Sequence, residues 1–160
     1  MKPGDHPDFY RFAPPPGTSR ESTIRLDADG KFWHDGARVD HPALEKALHG
    51  WIARHPDDGR YILTNGYDWT YFQVDDAPYT VRSIHLAPES VVLGLSDETE
   101  ERLAPETLRS GAGDALYAKV KGGRFDAKFS RHAQTSLAPL LEETPDGGVA
   151  IRIGGRSYRA

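Results

Sequence analysis

Hydrophobic and polar residues alternate most clearly in residues 58–79, DGRYILTNGYDWTYFQVDDAPY. The apolar run at 60–64 predicts a strand, and Asn-Gly at 65–66 predicts a turn because both residues adopt positive φ easily. Residues 69–74 predict a second strand whose side chains alternate between two faces. Pro78 ends this segment because proline has no N–H to donate to a strand ladder. The centre of the chain is therefore predicted to be a β-hairpin followed by an acidic corner.

Two segments show the helical spacing i, i+4, i+7, i+8. Their apolar stripes are Leu44, Leu48, Trp51 and Ile52, and Ala133, Leu137, Leu140 and Leu141. The first stripe predicts a helix of about 14 residues that begins at Asp40. The second predicts a helix capped by Ser130, with Pro139 requiring either a kink or a later start at Ser136. Further strands are predicted at 23–26, 31–34, 79–86, 90–95, 115–120, 124–129, 149–153 and 156–159.

The order of these elements is similar in the two parts of the chain. We predict an α+β protein of two related ββαββ-type halves, each with an antiparallel sheet and one helix packed on it. The predicted divisions are a proline-rich N-terminal arm at 1–21, an N-terminal half at 22–87 and a C-terminal half at 88–160. The alternative is that any ββαββ chain shows such punctuation by chance. Small sheets leave apolar surface uncovered, so the halves are expected to pack and form a groove for a small molecule.

Composition restricts the function classes. The 160 residues carry a net charge of −4 and contain no cysteine, so disulfides, thiolate metal sites and a cysteine nucleophile are excluded. The negative charge indicates no nucleic-acid partner. No signal peptide or membrane span is visible, so a cytoplasmic protein without a membrane partner is expected. The arm, with three consecutive prolines at 14–16, is either a loosely docked terminus or a partner-binding tail.

The segments DGRYIL at 58–63 and VDDAPY at 74–79 resemble the bacterial family known as domain of unknown function 1285. Residues 29–52 and 116–142 resemble further segments of that family, so the resemblance covers about residues 22–160 by this pattern. The resemblance implies a duplicated β-rich core with a helix in each half and a C-terminal half loosely similar to pleckstrin-homology folds. It also implies a signalling role and a nucleotide-like ligand in the cleft, with no enzymatic activity established. Asn65 and Gly66 depart from the family, which often has a basic residue there.

Basic and aromatic residues are the best candidates for a binding site. The predicted anion donors are Arg82, Lys119, Lys128 and Arg131, and the predicted stacking rings are Trp69, Tyr71 and Tyr79. Lysine and arginine supply donors for phosphate, arginine through a bidentate fork. The alternative is an amphipathic strand with a solvated charged face. Asp75 and Asp76 are candidates for a cation or a ribose hydroxyl, or else simply form a turn ahead of the proline.

No spacing in the sequence is typical of a catalytic or metal site. The seven histidines show no HxH or HExxH pattern, and the glycine pairs lack the context of a phosphate-binding loop. We therefore expect no enzyme, cofactor or metal, but a ligand-binding or sensor protein that holds a small nucleotide-like anion in the groove. The alternative is an interaction adaptor that binds a protein partner through an aromatic strand edge or the arm. An enzyme is the third possibility.

Overall fold

The computed structural model describes residues 1–160 and contains two α-helices, α1 (Pro42–Gly50) and α2 (Arg131–Leu137). The strands are β1 (Arg25–Leu26), β2 (Phe32–His34), β3 (Ala37–Arg38), β4 (Ile52–Arg54), β5 (Tyr61–Thr64), β6 (Trp69–Tyr71), β7 (Gln73–Val74), β8 (Tyr79–Ala87), β9 (Ser90–Leu95), β10 (Glu100–Arg102), β11 (Arg109–Ser110), β12 (Leu116–Val120), β13 (Phe125–Phe129), β14 (Leu141–Glu143), β15 (Val149–Ile153) and β16 (Arg156–Arg159). The predicted α+β class is confirmed in this coarse sense, since the protein is rich in antiparallel strands and has few helices.

The chain divides into two compact units, residues 1–76 (unit 1) and 77–160 (unit 2). The division falls upstream of the boundary expected at residue 87. The physical reason is that β8 pairs in parallel with β13, with Thr80 opposite Lys128, and so belongs to the sheet of unit 2. Residues 88 and 89 form the tight turn between β8 and β9. Such a pairing between distant strands leaves no local signal in the sequence.

Unit 1 contains a four-stranded sheet, in the order β3-β2-β1-β7, and a three-stranded sheet, in the order β4-β5-β6. The hairpin predicted at 60–74 is confirmed for β5 and β6, and the turn is held by Asn65. Its Oδ1 accepts hydrogen bonds of 2.9 Å from the backbone N–H groups of Tyr67 and Asp68. Gly66 takes a φ of 85°, which a side chain would disfavour. The second strand is interrupted at Phe72, so that β7 joins the other sheet.

Helix α1 is shorter than predicted. His41, and not Asp40, is its N-cap, because His41 Nδ1 accepts a hydrogen bond of 3.2 Å from the N–H of Leu44. The helix ends at Gly50, and Ile52 lies in β4 opposite Leu63. The assignment of Ile52 to the helical stripe was wrong because a buried strand residue can fall at the same spacing.

Unit 2 contains a six-stranded sheet, in the order β10-β9-β8-β13-β12-β11, and a three-stranded sheet, in the order β14-β15-β16. The predicted cap of α2 is confirmed, since Ser130 Oγ accepts a hydrogen bond of 3.1 Å from the N–H of Ala133. Pro139 lies in a 3-10 turn after the helix, and Leu141, in β14, pairs with Ile151 in β15. The helix therefore ends before the proline, and a start at Ser136 is excluded. Neither helix of the protein has the length and apolar character needed to cross a membrane.

Candidate functional site

Strands β12 and β13 have one apolar face and one face with charged side chains. The apolar face consists of Leu116, Ala118, Val120, Phe125, Ala127 and Phe129, all buried. The other face carries Tyr117, Lys119, Asp126 and Lys128, with Tyr117 opposite Lys128 and Lys119 opposite Asp126. Arg109, which lies in β11, belongs to the same face because it pairs with Tyr117 of β12. We call these five residues the charged face of unit 2.

The charged face places two basic side chains on one carboxylate. Lys119 Nζ lies 2.9 Å from Asp126 Oδ1, and Arg109 Nη2 lies 3.6 Å from Asp126 Oδ2. The Arg109 guanidinium also lies 4.4 Å from the centre of the Tyr117 ring, within cation–π range. With Lys128 included, the charged face of β11–β13 has three basic side chains and one acidic one. This surplus of positive charge can attract a phosphate or carboxylate group.

The structure brings together some of the predicted anion donors. Lys119 and Lys128 lie on the charged face, on neighbouring strands. Arg82 is the extra residue of a β-bulge in β8, and Arg131 is the first residue of α2; both are exposed. Ser130 links these two arginines, since its Oγ lies 3.5 Å from the carbonyl oxygen of Arg82 and it directly precedes Arg131. The four residues thus form two pairs in unit 2.

Tyr79 does not lie with the lysines. It pairs with Ala127, so its side chain points to the apolar face, opposite that of Lys119 and Lys128. The ring is 5 % exposed and makes an edge contact with Phe125, with centroids 5.3 Å apart. Burial and the nearby Asp97 charge raise the pKa of Tyr79 to about 12. Its expected stacking role is corrected to a core position, because its neighbours already cover the ring.

A charged cluster lies beside Tyr79. Lys121 Nζ donates hydrogen bonds to Asp97 Oδ2 at 2.6 Å and to Thr99 Oγ1 at 2.8 Å, and it lies 5.3 Å from the centre of the Tyr79 ring. Burial alone would raise the pKa of Asp97, but the hydrogen bonds from Lys121 and Thr99 lower it. The backbone N–H of Lys121 also donates to Glu101. These contacts tie the ends of β9, β10 and β12 together.

The N-terminal arm covers two of the predicted stacking rings. Phe9 is 6 % exposed and packs in a cluster with Ile62 and Trp69. Trp69 is equally buried, and the Arg20 guanidinium lies 4.5 Å from its ring centre. The ring of Tyr71 packs against this cluster. Trp69 therefore serves to dock the arm, so that part of the arm lies on unit 1.

Tyr71 is held by charged neighbours of its own. Its hydroxyl donates a hydrogen bond of 2.6 Å to Asp58, and the Arg60 guanidinium lies 3.7 Å from its ring centre. Arg60 is fixed in turn by two hydrogen bonds of 2.8 and 2.9 Å to Glu21. The hydrogen bond with Asp58 raises the pKa of Tyr71. One side of this ring is thus occupied by the guanidinium of Arg60.

His55 connects the arm to the hairpin. Its side chain is buried, and Nδ1 accepts a hydrogen bond of 3.1 Å from the N–H of Asp57. Because Nδ1 accepts, Nε2 carries the proton and donates to the carbonyl oxygen of Tyr10 at 3.1 Å. Arg11 adds hydrogen bonds of 3.0 and 2.7 Å to Asp57. His55 therefore links Tyr10 of the arm to Asp57.

The acidic corner has protein partners on both oxygens of Asp75. Arg25 Nη1 donates to Oδ2 at 2.5 Å, and Gln73 Nε2 donates to Oδ1 at 2.7 Å. Asp76 is exposed and ends unit 1. The structure contains no group of three or more His, Asp or Glu side chains arranged for a metal ion. Asp75 fits the turn interpretation of this corner, since Arg25 and Gln73 already satisfy its carboxylate.

Sequence reasoning missed Arg109 as a member of the charged face. Arg109 lies in β11, which is only two residues long and so too short to show a period-2 pattern. Arg109 reaches the face through its pairing with Tyr117. A possible signal was the pair of glycines at 111 and 113. A Cβ atom on Gly111 would lie 2.6 Å from the Tyr117 ring, so a side chain there would require the ring to shift.

Comparison with solved structures identifies the fold. The chain is similar to a DUF1285 family protein from Silicibacter pomeroyi DSS-3, with 18% identity, a TM-score of 0.70, and coverage of 99% of this chain and 88% of that chain. It is also similar to a DUF1285 family protein from Shewanella baltica OS155, with 18% identity, a TM-score of 0.59, and coverage of 76% and 94%. No family model and no curated protein matches the sequence. The predicted resemblance to this family is confirmed at the level of the fold.

Proposed function

We propose that the protein is a non-catalytic, small-ligand-binding protein whose charged face in unit 2 holds a nucleotide-like anion. The observation that carries the proposal is the convergence of Arg109 and Lys119 on Asp126, with Lys128 on the same face. Asp126 positions both basic groups but neutralises only one positive charge. A phosphate group can compete with this carboxylate for the same donors.

The two lysines of the charged face differ in their exposure to solvent. Lys119 is exposed and Lys128 is half-buried, so both a solvated and a partly desolvated donor are present. Partial burial strengthens the attraction of a cation for an anion because the local dielectric is lower than in water. Arg82 and Arg131 supply further positive charge in unit 2 for a second anionic group. A sensor or signalling role would follow if ligand binding changed the stability of this sheet.

Thermal-shift measurements with nucleotides, second messengers and pyrophosphate test the proposal. Binding to the folded state raises the melting temperature by mass action, so at least one compound should stabilise the wild-type protein. Lys119→Ala should reduce that shift. Lys31→Ala is the matched control, because it removes an exposed positive charge from unit 1. Equal loss in both variants, or no stabilisation by any compound, would exclude the charged face as the site.

A second candidate is an adaptor that binds a protein partner through the proline-rich segment at 12–17. Phe12 is 52 % exposed, and Pro15 and Pro16 are also exposed. Phe9, in contrast, is buried in unit 1. Aromatic-lined grooves of partner proteins recognise such extended proline segments. Phe12→Ala would abolish binding to a partner of this kind and leave any nucleotide response unchanged. That pair of results would favour the adaptor over ligand binding.

We also propose that the two halves of the chain are related to each other. The cytoplasmic location expected from the sequence is part of the same proposal. A common plan is supported by α1 and α2, each of which is followed by a three-stranded antiparallel sheet with strands in sequential order. Duplication of one ancestral unit would explain why both halves have this order of helix and strands. Separate expression of residues 77–160 would test it, since an independently folding unit should give a cooperative unfolding transition. A fragment without such a transition would contradict independent halves.

A further inference from the structure

A cavity of about 320 Å³ lies in unit 2, apart from the charged face. Its volume is in the range of small-molecule sites. Apolar residues Val91, Leu103 and Ile153 contribute to its lining, together with Arg102, Arg156 and Tyr158. The cavity therefore combines apolar surface with two guanidinium groups and one aromatic ring. None of these residues was singled out from the sequence.

The last hairpin forms one wall of the cavity through its strand register. Ile153 is paired with Arg156, and Ile151 with Tyr158, so these side chains share a face of the β15–β16 hairpin. At the tip, Gly154 takes a φ of 57° and lies close to the β8–β9 turn. A Cβ atom on Gly154 would lie 3.6 Å from Glu89 Cα, in van der Waals contact. Contact between the tip of the β15–β16 hairpin and the β8–β9 turn therefore positions this wall of the cavity.

The charges of the hairpin differ between its two faces. Arg152 donates to Glu142 at 2.8 Å, and Arg159 is paired with Asp146. Neither Arg102 nor Arg156 forms an ion pair with a carboxylate. In proteins, arginine side chains usually pair with a carboxylate or a phosphate because the guanidinium fork matches the geometry of both.

The composition of the lining leaves a net positive charge. Glu89 is its one carboxylate, against two guanidinium groups, and it forms no ion pair with either. Two like charges that line one cavity repel each other, and an anion bound in the cavity reduces that repulsion. Arg156 also lies 5.7 Å from the centre of the Tyr158 ring, so the aromatic surface adjoins a cationic group.

We infer that this cavity binds a small organic anion, with its phosphate or carboxylate held by Arg102 and Arg156. The body of the ligand is aromatic or apolar and packs on Tyr158 and Leu103. Apolar lining with a few convergent polar groups is the usual composition of a small-molecule site. The inference goes beyond the proposed function, since it concerns a second site built from different strands.

Phenyl phosphate is a suitable probe because it combines one phosphate group with one aromatic ring. Titration into the ¹⁵N-labelled full chain should shift the backbone amides of Val91, Leu103, Ile153 and Gly154 in a saturable manner. Arg102→Ala and Arg156→Ala should each weaken binding about tenfold, as expected for loss of a charge-assisted hydrogen bond. Arg152→Ala is the matched control on the other face of the hairpin and should leave the affinity unchanged.

Three results would overturn the inference. The first is the absence of saturable shifts at these amides in a wild-type protein whose spectrum shows it to be folded. The second is equal affinity in the wild-type protein and in Arg102→Ala and Arg156→Ala. The third is equally tight binding of inorganic phosphate, which would mean that the aromatic and apolar lining contributes nothing. Shifts on the charged face would instead test the separate proposal made above, so failures of the two sites are distinguishable.

Discussion

Lys119 and Asp126 face each other across β12 and β13, with Lys119 Nζ 2.9 Å from Asp126 Oδ1. The carboxylate also lies 3.6 Å from Arg109 Nη2. It therefore occupies the position in which an anionic ligand would meet the same two donors. If the charged face binds an anion, Asp126 competes with that ligand.

Asp126→Asn is consequently expected to tighten anion binding. Loss of the carboxylate removes a competing acceptor and a repulsive charge, so pyrophosphate should bind about threefold to tenfold more tightly, for a surface interaction of about 1 kcal/mol. Isothermal titration calorimetry measures the change. Asp146→Asn is the control, because it removes the same charge from the turn between β14 and β15, where Asp146 pairs with Arg159. An unchanged or weaker affinity in Asp126→Asn alone would mean that these cations serve only as a solvated face.

The docked arm predicts a difference between two nearby phenylalanines. Phe9→Ala should lower the free energy of unfolding by about 3 kcal/mol, since truncation leaves a cavity beside Ile62 and Trp69. Phe12→Ala, at a residue 52 % exposed, should change it by less than about 0.5 kcal/mol. Urea denaturation followed by tryptophan fluorescence measures both values. Equal effects of the two variants would show that the arm is not docked in solution.

The Asp97–Lys121 ion pair should make stability depend on acidic pH. The pKa of Asp97 is lowered in the folded protein, so its stabilising contribution is present at neutral pH and is lost as the pH falls through and below about 4. Asp97→Asn should therefore cost about 1–3 kcal/mol at pH 7 and much less near pH 3. Urea unfolding at both pH values checks this. A cost independent of pH would mean that the carboxylate contributes through packing and not through its charge.

Tyr79 should act at the opposite end of the pH range. Its pKa is raised to about 12, so folding favours the neutral phenol, and that contribution is complete below about pH 10 and lost as the pH rises toward 12. Tyr79→Phe, which has no ionisable group, should lose less stability between pH 9 and about pH 11 than the wild-type protein. Thermal unfolding across that range provides the comparison. Parallel curves for the two proteins would contradict a buried, neutral Tyr79.

Local patterns in the sequence predicted the elements that local chemistry determines. The turn at Asn65 and Gly66 and the cap at Ser130 were predicted because the side chains that form them are adjacent in the chain. The end of α1 was not predicted correctly, because Ile52 fits both a helical stripe and a strand. Only the pairing of Ile52 with Leu63 decides between the two. Periodicity alone does not resolve such short apolar runs.

The candidate site was only partly predictable for the same reason. Alternation along β13 correctly separated Lys128 from the apolar face, but it carried no information on which residues of other strands would join it. The parallel pairing of β8 with β13 sends Tyr79 to the apolar face, and the short strand β11 brings in Arg109. Both contacts connect distant parts of the chain. They depend on tertiary pairing, which a single sequence does not specify locally.

The most direct test of anion binding by the charged face is an amide chemical-shift titration of the full chain with pyrophosphate. The account predicts saturable shifts confined to β11, β12 and β13, and their loss in a Lys119→Ala, Lys128→Ala double variant whose spectrum is otherwise unchanged. Shifts that persist in the double variant, or a wild-type spectrum that pyrophosphate leaves unaltered on these strands, would contradict it.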